Sequence, residues 1–243
     1  MSPEKKKFVL VLIKPSHYDD DGYVIQWLRS AIPSNSLACL YGLAKQCIDE
    51  QLLPQNVELD VHAFDETNTV IHPHKIAKLV GSGDDGMVML VGVQSNQFPR
   101  ALDLAGALRK ENITVAIGGF HVSGTISMLK ERDPLVQKAL DLGVTVFAGE
   151  AEGRFDSLLR DAIDGKLQPV YNYMDDLPNL EGAPPPLLPA ERVKRTAGSA
   201  TTLDAGRGCP FACSFCTIIN VQGRKSRRRS ADDVERIIRE NLK

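Results

Sequence analysis

Three cysteines, Cys209, Cys213 and Cys216, have the types and spacing that most clearly indicate chemistry in this chain. They fall within eight residues, with three and then two residues between them, in a segment that also contains Gly208 and Pro210. Soft thiolates that lie this close in the sequence can converge on one metal centre without any long-range contact. The sequence therefore predicts a metal site in this loop.

The number of thiolates bears on the kind of metal centre. A closed structural zinc site needs four ligands, and the histidine nearest in sequence, His121, is far from the loop. Three soft thiolates suit an iron–sulfur cluster in which one iron has no protein ligand and stays open to a substrate or cofactor. Three zinc-bound or unrelated cysteines are the alternative.

The residues upstream of the loop show the elements that would position it. Five short apolar or alternating runs, separated by helical patterns, predict strands within about the first 165 residues. These strands are 8–13, 57–64, 87–93, 113–117 and 144–147. The alternation predicts an α/β fold with a doubly wound, flavodoxin- or Rossmann-like parallel sheet of about five strands.

Polar or glycine-rich loops follow four of the predicted strands. Such sheets bind ligands in the crevice at the carboxyl ends of their strands, so one crevice is expected to collect these loops. Their candidate residues are Ser16 and His17, Ser95, Gly118, Gly119 and His121, and Glu150 and Glu152. The two glutamates fit either a ligand contact or a simple strand-end turn.

A proline-rich stretch divides the chain. Residues 1–168 are predicted to form the α/β domain, residues 169–194 a linker, and residues 195–243 a second unit that carries the cysteine loop. Prolines stiffen and extend a linker. Those of the linker are Pro178, Pro184, Pro185, Pro186 and Pro189.

Bulk properties narrow the class of protein. The chain has 243 residues and a net charge of −2, so no overall electrostatic attraction to nucleic acid or acidic membranes is expected. No run of 18 apolar residues appears, and the N-terminus lacks a signal-peptide core, so no membrane span is expected. Five cysteines, three of them clustered, favour a reducing cytoplasm over a disulfide framework.

The cysteine spacing resembles the motif of a known superfamily. Cys209-x3-Cys213-x2-Cys216, with aromatic Phe215 before the last cysteine, is similar to the radical S-adenosylmethionine (SAM) motif. Residues 206–208, before the cysteines, and residues 227–230, after them, also resemble the corresponding segments of that superfamily. The second unit would then be the first β/α unit of an incomplete radical SAM partial barrel.

The resemblance implies a set of roles around the loop. The three cysteines would ligate a [4Fe–4S] cluster, and its open iron would chelate the amino and carboxylate groups of SAM. One electron, from a donor such as a flavodoxin or ferredoxin, would cleave the sulfonium and release a 5′-deoxyadenosyl radical. Phe215 would contact the adenosyl group.

The upstream domain resembles the cobalamin-binding domain of B12-dependent radical SAM proteins, notably at Gly118-Gly119-x-His121 and Gly149-Glu150-x-Glu152. By that resemblance the loop after the first strand would face the corrin. Ser95 would lie near the nucleotide tail, which the backbone at the glycine pair could approach closely. The implied cofactor contacts are Ser16, His17, Ser95, Gly118, Gly119, His121, Glu150 and Glu152.

Two departures from the family pattern limit these expectations. The Asp-x-His-x-x-Gly motif with its cobalt-ligating histidine is absent, because Pro15 and Asp20 flank His17 where Asp and Gly would stand. Cobalamin without a protein ligand, or no cobalamin, is therefore expected over ligation by His17. The segment after the linker is also too short for the barrel, so we expect a fragment or truncated form that does not turn over SAM alone.

The expected reaction of the full-length enzyme is radical methyl transfer from methylcobalamin, or a carbon-skeleton step, at an unactivated carbon. The small-molecule or peptide substrate is not identified by the sequence. Alternatives are a non-catalytic cobalamin or iron–sulfur protein, and an iron–sulfur protein that binds RNA through residues 224–229, although nucleic acid is not favoured.

Cys39 and Cys47, eight residues apart, are predicted to be buried small hydrophobes.

Overall fold

A computed structural model describes residues 5–198 and 202–241 of the chain. Its centre is a six-stranded, fully parallel sheet in the order β2-β1-β3-β4-β5-β6. The strands are β1 Lys6–Lys14, β2 Val57–Asp65, β3 Asp85–Leu90, β4 Thr114–Gly118, β5 Thr145–Ala148 and β6 Val170–Asn172. The predicted α/β fold with a doubly wound parallel sheet is therefore confirmed.

Helices cover both faces of the sheet, because residues along each strand alternate between two apolar layers. Val9 and Val11 of β1 belong to the layer formed with α2, α3 and α5. Leu10 and Leu12 belong to the opposite layer, formed with α1 and α6. The helices of this domain are α1 Asn35–Asp49, α2 Pro73–Val80, α3 Phe98–Lys110, α4 Phe120–Met128, α5 Pro134–Asp141 and α6 Phe155–Ile163.

The sixth strand lies in the stretch predicted to be linker. Val170–Asn172 pairs with β5, so the sheet extends past residue 168. This strand is three residues long and stands at the edge of the sheet, with Tyr171 as its one buried residue. So short a run carries no readable alternation, which is why the sequence predicted five strands.

The proline-rich stretch that follows is docked on the α/β domain. The Leu187 N–H donates to the Ala38 carbonyl at 3.0 Å, and Leu180 is fully buried. Gly42 of α1 permits this approach, since a β-carbon there would lie 2.2 Å from the Pro185 carbonyl oxygen. The stretch predicted to be a linker therefore packs against α1, and its predicted stiffness stays a prediction.

The C-terminal part contains short elements around the cysteine loop. They are α7 Ala190–Val193, β7 Gly206–Arg207, α8 Ile218–Val221, β8 Arg227–Arg228 and α9 Ala231–Asn241. β7 and β8 pair antiparallel on either side of the cysteine loop, and α9 follows β8 directly. Ser230 caps the start of α9, since the Asp233 N–H donates to its Oγ at 3.1 Å.

None of the helices in the described ranges combines the length and apolar character that a membrane crossing needs.

Candidate functional site

A cavity of about 270 Å³ lies at the carboxyl edge of the sheet, where sheets of this kind bind ligands. Its walls come from the start of α1, the ends of β3, β4 and β5, and the C-terminal segment. Lining residues that the argument uses are Cys39, Gly118, Gly119, Glu150, Glu152 and Arg207. The structure therefore brings together four of the predicted cofactor residues and adds two that were not predicted.

The glycine pair forms one wall, and the structure gives a reason for glycine there. Gly119 has a φ of +146°, and a β-carbon would lie 2.2 Å from the Val93 backbone nitrogen. At Gly118 a β-carbon would lie 3.3 Å from the Phe147 carbonyl oxygen. The loops after β3 and β4 can thus pack against each other only if position 119 has no side chain.

The two predicted glutamates are held by arginines of the C-terminal segment. Arg207 pairs with Glu150 at 2.9 Å, with Glu152 at 2.6 Å and with Asp204 at 2.7 Å. Arg227 also binds Glu150, through Nη1 at 2.9 Å and through a second contact from Nη2. All five side chains are at most 12% exposed. The glutamates therefore line the cavity and also anchor another segment, a role that neither predicted alternative included. Their predicted ligand contact stays a prediction.

A third arginine completes this charged cluster. Arg229 is buried, pairs with Asp204 at 3.2 Å and donates to the Ala183 carbonyl at 2.7 Å. Two of the four arginines in the basic run 224–229 are therefore committed to carboxylates and carbonyls within the chain. Arg224 and Arg228 are exposed. Half of its arginines therefore serve contacts within the chain, which weakens the RNA-binding alternative.

The cysteine loop is clamped at its base and open at its tip. The Cys209 N–H donates to the Gly223 carbonyl at 3.1 Å, and the Cys216 N–H donates to the Cys213 carbonyl at 3.2 Å. Cys213 is exposed, and Phe215 is 89% exposed. Within the described ranges, no three His, Cys, Asp or Glu side chains already stand in a metal-binding arrangement. The structure therefore holds the three thiols in one accessible loop without converging them on a point.

Helix α8 attaches this loop to the wall of the cavity. It begins directly after Thr217, whose Cγ2 would lie 3.3 Å from a β-carbon at Gly124 of α4. Ser127 of α4 also donates to the Asn220 carbonyl at 3.0 Å. Helix α4 begins directly after the glycine pair that lines the cavity. It therefore lies beside the cavity and also contacts α8, which follows the cysteine loop.

The loop after β1 is held by contacts within itself and with Glu66 after β2, outside the cavity lining. Ser16 is fully buried; its N–H donates to Glu66 Oε2 at 3.0 Å and its hydroxyl to the Ile25 carbonyl at 2.5 Å. Glu66 is in turn bound by Arg100 at 2.6 Å. His17 is half-buried, and neither Ser16 nor His17 lines the cavity. Their predicted corrin contacts stay predictions.

Ser95 and His121 contact each other outside the cavity lining. His121 Nδ1 lies 3.2 Å from Ser95 Oγ, and its ring packs 4.1 Å from that of Phe98. Its Nε2 lies 3.4 Å from Asp133 Oδ1 without hydrogen-bond geometry. Burial lowers the pKa of His121, and the Asp133 carboxylate only partly offsets this. His121 is therefore a buried, neutral residue at pH 7.

The remaining cysteines behave largely as predicted. Cys47 is buried in the layer of α1, and Cys39 is half-buried at the cavity wall, 3.7 Å from an Arg207 nitrogen. Burial raises the pKa of each thiol to about 12. Both stay protonated at neutral pH, and a thiol is a poor metal ligand until it loses its proton.

Arg207, Arg227 and Asp204 were missed by sequence reasoning. One signal was available in the position of Arg207, two residues before the first cysteine. If an arginine there is buried, it requires carboxylates nearby. Which carboxylates it would find was not readable, since Glu150 precedes it by 57 residues.

Comparison with known proteins supports a common architecture. No protein-family model matches the chain. It is 30% identical over 152 residues to a bacteriochlorophyllide d C-8(2)-methyltransferase of Chlorobaculum tepidum. The aligned region covers 59% of this chain and 31% of that relative. It is 33% identical over 91 residues to the C-12(1)-methyltransferase of the same organism, covering 36% of this chain and 20% of that relative. The chain thus matches about a third or less of each curated relative's length.

Two solved structures of the radical S-adenosylmethionine methyltransferase TsrM from Kitasatospora setae share the fold. One of them, with tryptophan substrate and a SAM analogue bound, superposes on this chain with a TM-score of 0.54 and 15% sequence identity. The superposition covers 96% of this chain and 45% of the TsrM chain. The other, with cobalamin and a [4Fe–4S] cluster bound, has a TM-score of 0.58 and 13% sequence identity. That superposition covers 97% of this chain and 45% of the TsrM chain.

Proposed function

We propose that this chain is the cobalamin-binding domain and cluster-binding segment of a radical SAM methyltransferase. The observation that carries the proposal is the accessible three-cysteine loop beside a cavity at the carboxyl edge of the sheet. The two are joined by α8 on one side and by the arginine–glutamate pairs on the other.

The donor set of the loop fits a [4Fe–4S] cluster. Cys209, Cys213 and Cys216 supply three thiolates, and the loop base fixes their backbone while the tip stays open. Such a cluster supplies an electron and one open iron site at which SAM is held. Phe215 projects from the same loop and offers an aromatic face to the adenine of SAM. An electron donor such as a flavodoxin or ferredoxin would reach this exposed side.

Cobalamin fits the other half of the site. The cavity between the glycine pair and α1 is mainly apolar at its walls and would receive part of the cofactor. The loop after β1 carries no Asp-x-His-x-x-Gly motif, and His17 does not line the cavity. We therefore propose that this chain gives the cobalt no histidine ligand.

Methyl transfer to a carbon is the proposed reaction of the whole enzyme. The two curated relatives are named as methyltransferases, and so is the solved neighbour, which favours methyl transfer over a carbon-skeleton step. The substrate is proposed only as a small molecule or peptide.

Anaerobic reconstitution with iron and sulfide tests the cluster. The wild-type chain is expected to bind about four irons with a broad visible absorption band. The Cys209→Ala/Cys213→Ala/Cys216→Ala variant is expected to lose both signals. Cys47→Ala, which removes a cysteine outside the loop, serves as the matched control and should keep them. A single bound zinc, or iron that survives the triple substitution, would refute the proposal.

Titration with hydroxocobalamin separates the alternatives. Corrinoid binding together with the cluster supports the proposed enzyme, corrinoid binding alone supports a carrier, and the cluster alone leaves an iron–sulfur protein.

RNA binding would appear as retention on filters that falls steeply with salt. Because Arg227 and Arg229 are engaged within the chain, we expect no such retention.

A further inference from the structure

Arg207 joins the cavity to the cluster loop. It is one wall of the cavity, stands two residues before Cys209, and pairs with Glu150, Glu152 and Asp204. We propose that Arg207 is a positioning residue, whose pairs with the loop after β5 fix where the first cysteine stands relative to the sheet. This inference rests on the proposed function of the cysteine loop.

The connection between Arg207 and Cys209 has little freedom. Gly208 has a φ of +83°, and a β-carbon there would lie 2.3 Å from the Lys225 carbonyl oxygen. The Cys209 N–H is itself bound to the Gly223 carbonyl. A displacement of the Arg207 backbone would therefore move Cys209 as well, instead of being absorbed by a flexible link.

Arginine suits this position because it must hold three carboxylates at once. Its Nε and Nη atoms reach Asp204, and separate Nη atoms reach Glu150 and Glu152. Burial alone would lower the pKa of Arg207, but the charge and hydrogen bond of Glu152, with further charges around it, raise that pKa above its ordinary value. Lysine would keep the charge without the planar fork.

A fixed cation near the loop also bears on the chemistry of a cluster. The reduction potential of an iron–sulfur cluster depends on nearby charge, hydrogen bonding and solvent exposure. Loss of the Arg207 charge should make reduction harder, and loss of its contacts should loosen the loop.

Single variants of the full chain test this role. Arg207→Gln is expected to bind at least twofold less iron after reconstitution, and the fraction that loads should show a more negative potential and an altered EPR spectrum. Arg207→Lys should fall between this variant and wild type. Arg228→Gln removes the same charge from an exposed residue of β8 and should match wild type. Equal iron content and equal potential in the two glutamine variants would overturn the proposal.

A double variant separates positioning from folding. Arg207→Gln/Glu152→Gln removes one charge of each sign and leaves Glu150 paired with Arg227. We expect it to regain the wild-type resistance of residues 204–229 to trypsin but not the wild-type cluster potential. If the double variant regains both, Arg207 acts only in folding and the proposal is wrong.

The cluster-free protein gives a readout that does not depend on the proposed function. Iodoacetamide should modify Cys209 at least twofold faster in Arg207→Gln than in Arg228→Gln, as measured by mass spectrometry. Equal rates would contradict the positioning role. A wild-type chain that never binds iron would instead refute the proposed function, while the alkylation rates would still decide the role of Arg207.

Discussion

In the α/β domain two apolar layers flank the sheet, whereas residues 204–229 are attached to that domain by buried ion pairs as well as by the apolar packing of α8 on α4. Every residue of β1 from Phe8 to Ile13 is at most 1% exposed. In the cysteine loop, by contrast, Phe211 and Phe215 are 70% and 89% exposed. The domain is therefore built on apolar burial, while the segment that carries the exposed loop depends also on charged contacts.

The difference has a consequence for stability. Apolar burial is not weakened by charge screening as ion pairs are, and its loss unfolds a domain as a unit. Buried ion pairs contribute less net stability, but removing one partner leaves an unpaired charge. Damage to the core should therefore unfold the domain, while damage to the charged cluster should release the loop and leave the sheet intact.

The largest effect is expected from the core. Leu90→Ala removes a fully buried side chain from a central strand and should lower the free energy of unfolding by about 2–5 kcal/mol. Urea unfolding followed by circular dichroism measures this. Leu28→Ala, at a side chain 92% exposed, is the matched control. A loss as small as that of the control would show that the apolar layers do not dominate the stability of the domain.

A somewhat smaller effect is expected where the cavity meets the sheet. Gly119→Ala places a β-carbon 2.2 Å from the Val93 nitrogen and forces a positive φ, so we expect a loss of about 1–3 kcal/mol. Hydroxocobalamin affinity should fall with it. Gly198→Ala, where no described atom beyond the adjacent residues lies within 4 Å of the added β-carbon, should leave both unchanged. Unchanged stability would mean that the loops after β3 and β4 can separate freely.

The charged cluster should respond locally. Glu150→Gln deprives Arg207 and Arg227 of a shared carboxylate, at a cost of about 1–2 kcal/mol to the docking of the C-terminal segment. Limited trypsin digestion should cut the segment at least twofold faster, while the urea midpoint of the sheet changes little. Glu131→Gln, at an exposed residue, is the control. A shift of the global midpoint equal to that of Leu90→Ala would erase the distinction between the two regions.

The smallest effect concerns pH. Burial lowers the pKa of His121 below its ordinary value of about 6.5, so the unfolded state binds more protons than the folded state in that range. Stability should therefore fall as pH decreases from about 6.5 toward the folded-state pKa, with a slope of at most about 1.4 kcal/mol per pH unit. His121→Gln should flatten the slope, while His74→Gln, at an exposed residue, should not. An unchanged slope in His121→Gln would mean that another group carries it.

Sequence reasoning succeeded for features written in local patterns. Alternating apolar runs predicted five of the six strands, and the sixth, Val170–Asn172, was missed because a three-residue edge strand carries no pattern. The roles of Ser16 and Ser95 were less accessible, since their partners Glu66 and His121 lie 50 and 26 residues away.

The sequence by itself determined the parallel α/β sheet and the three-thiol loop, because strand alternation and cysteine spacing are set by neighbouring residues. Only the tertiary structure decided that Glu150 pairs with Arg207 and Arg227, which follow it by 57 and 77 residues. Charged side chains accept many partners, and burial selects among them only once the chain is folded. The link between the cavity and the cysteine loop is therefore a property of the fold.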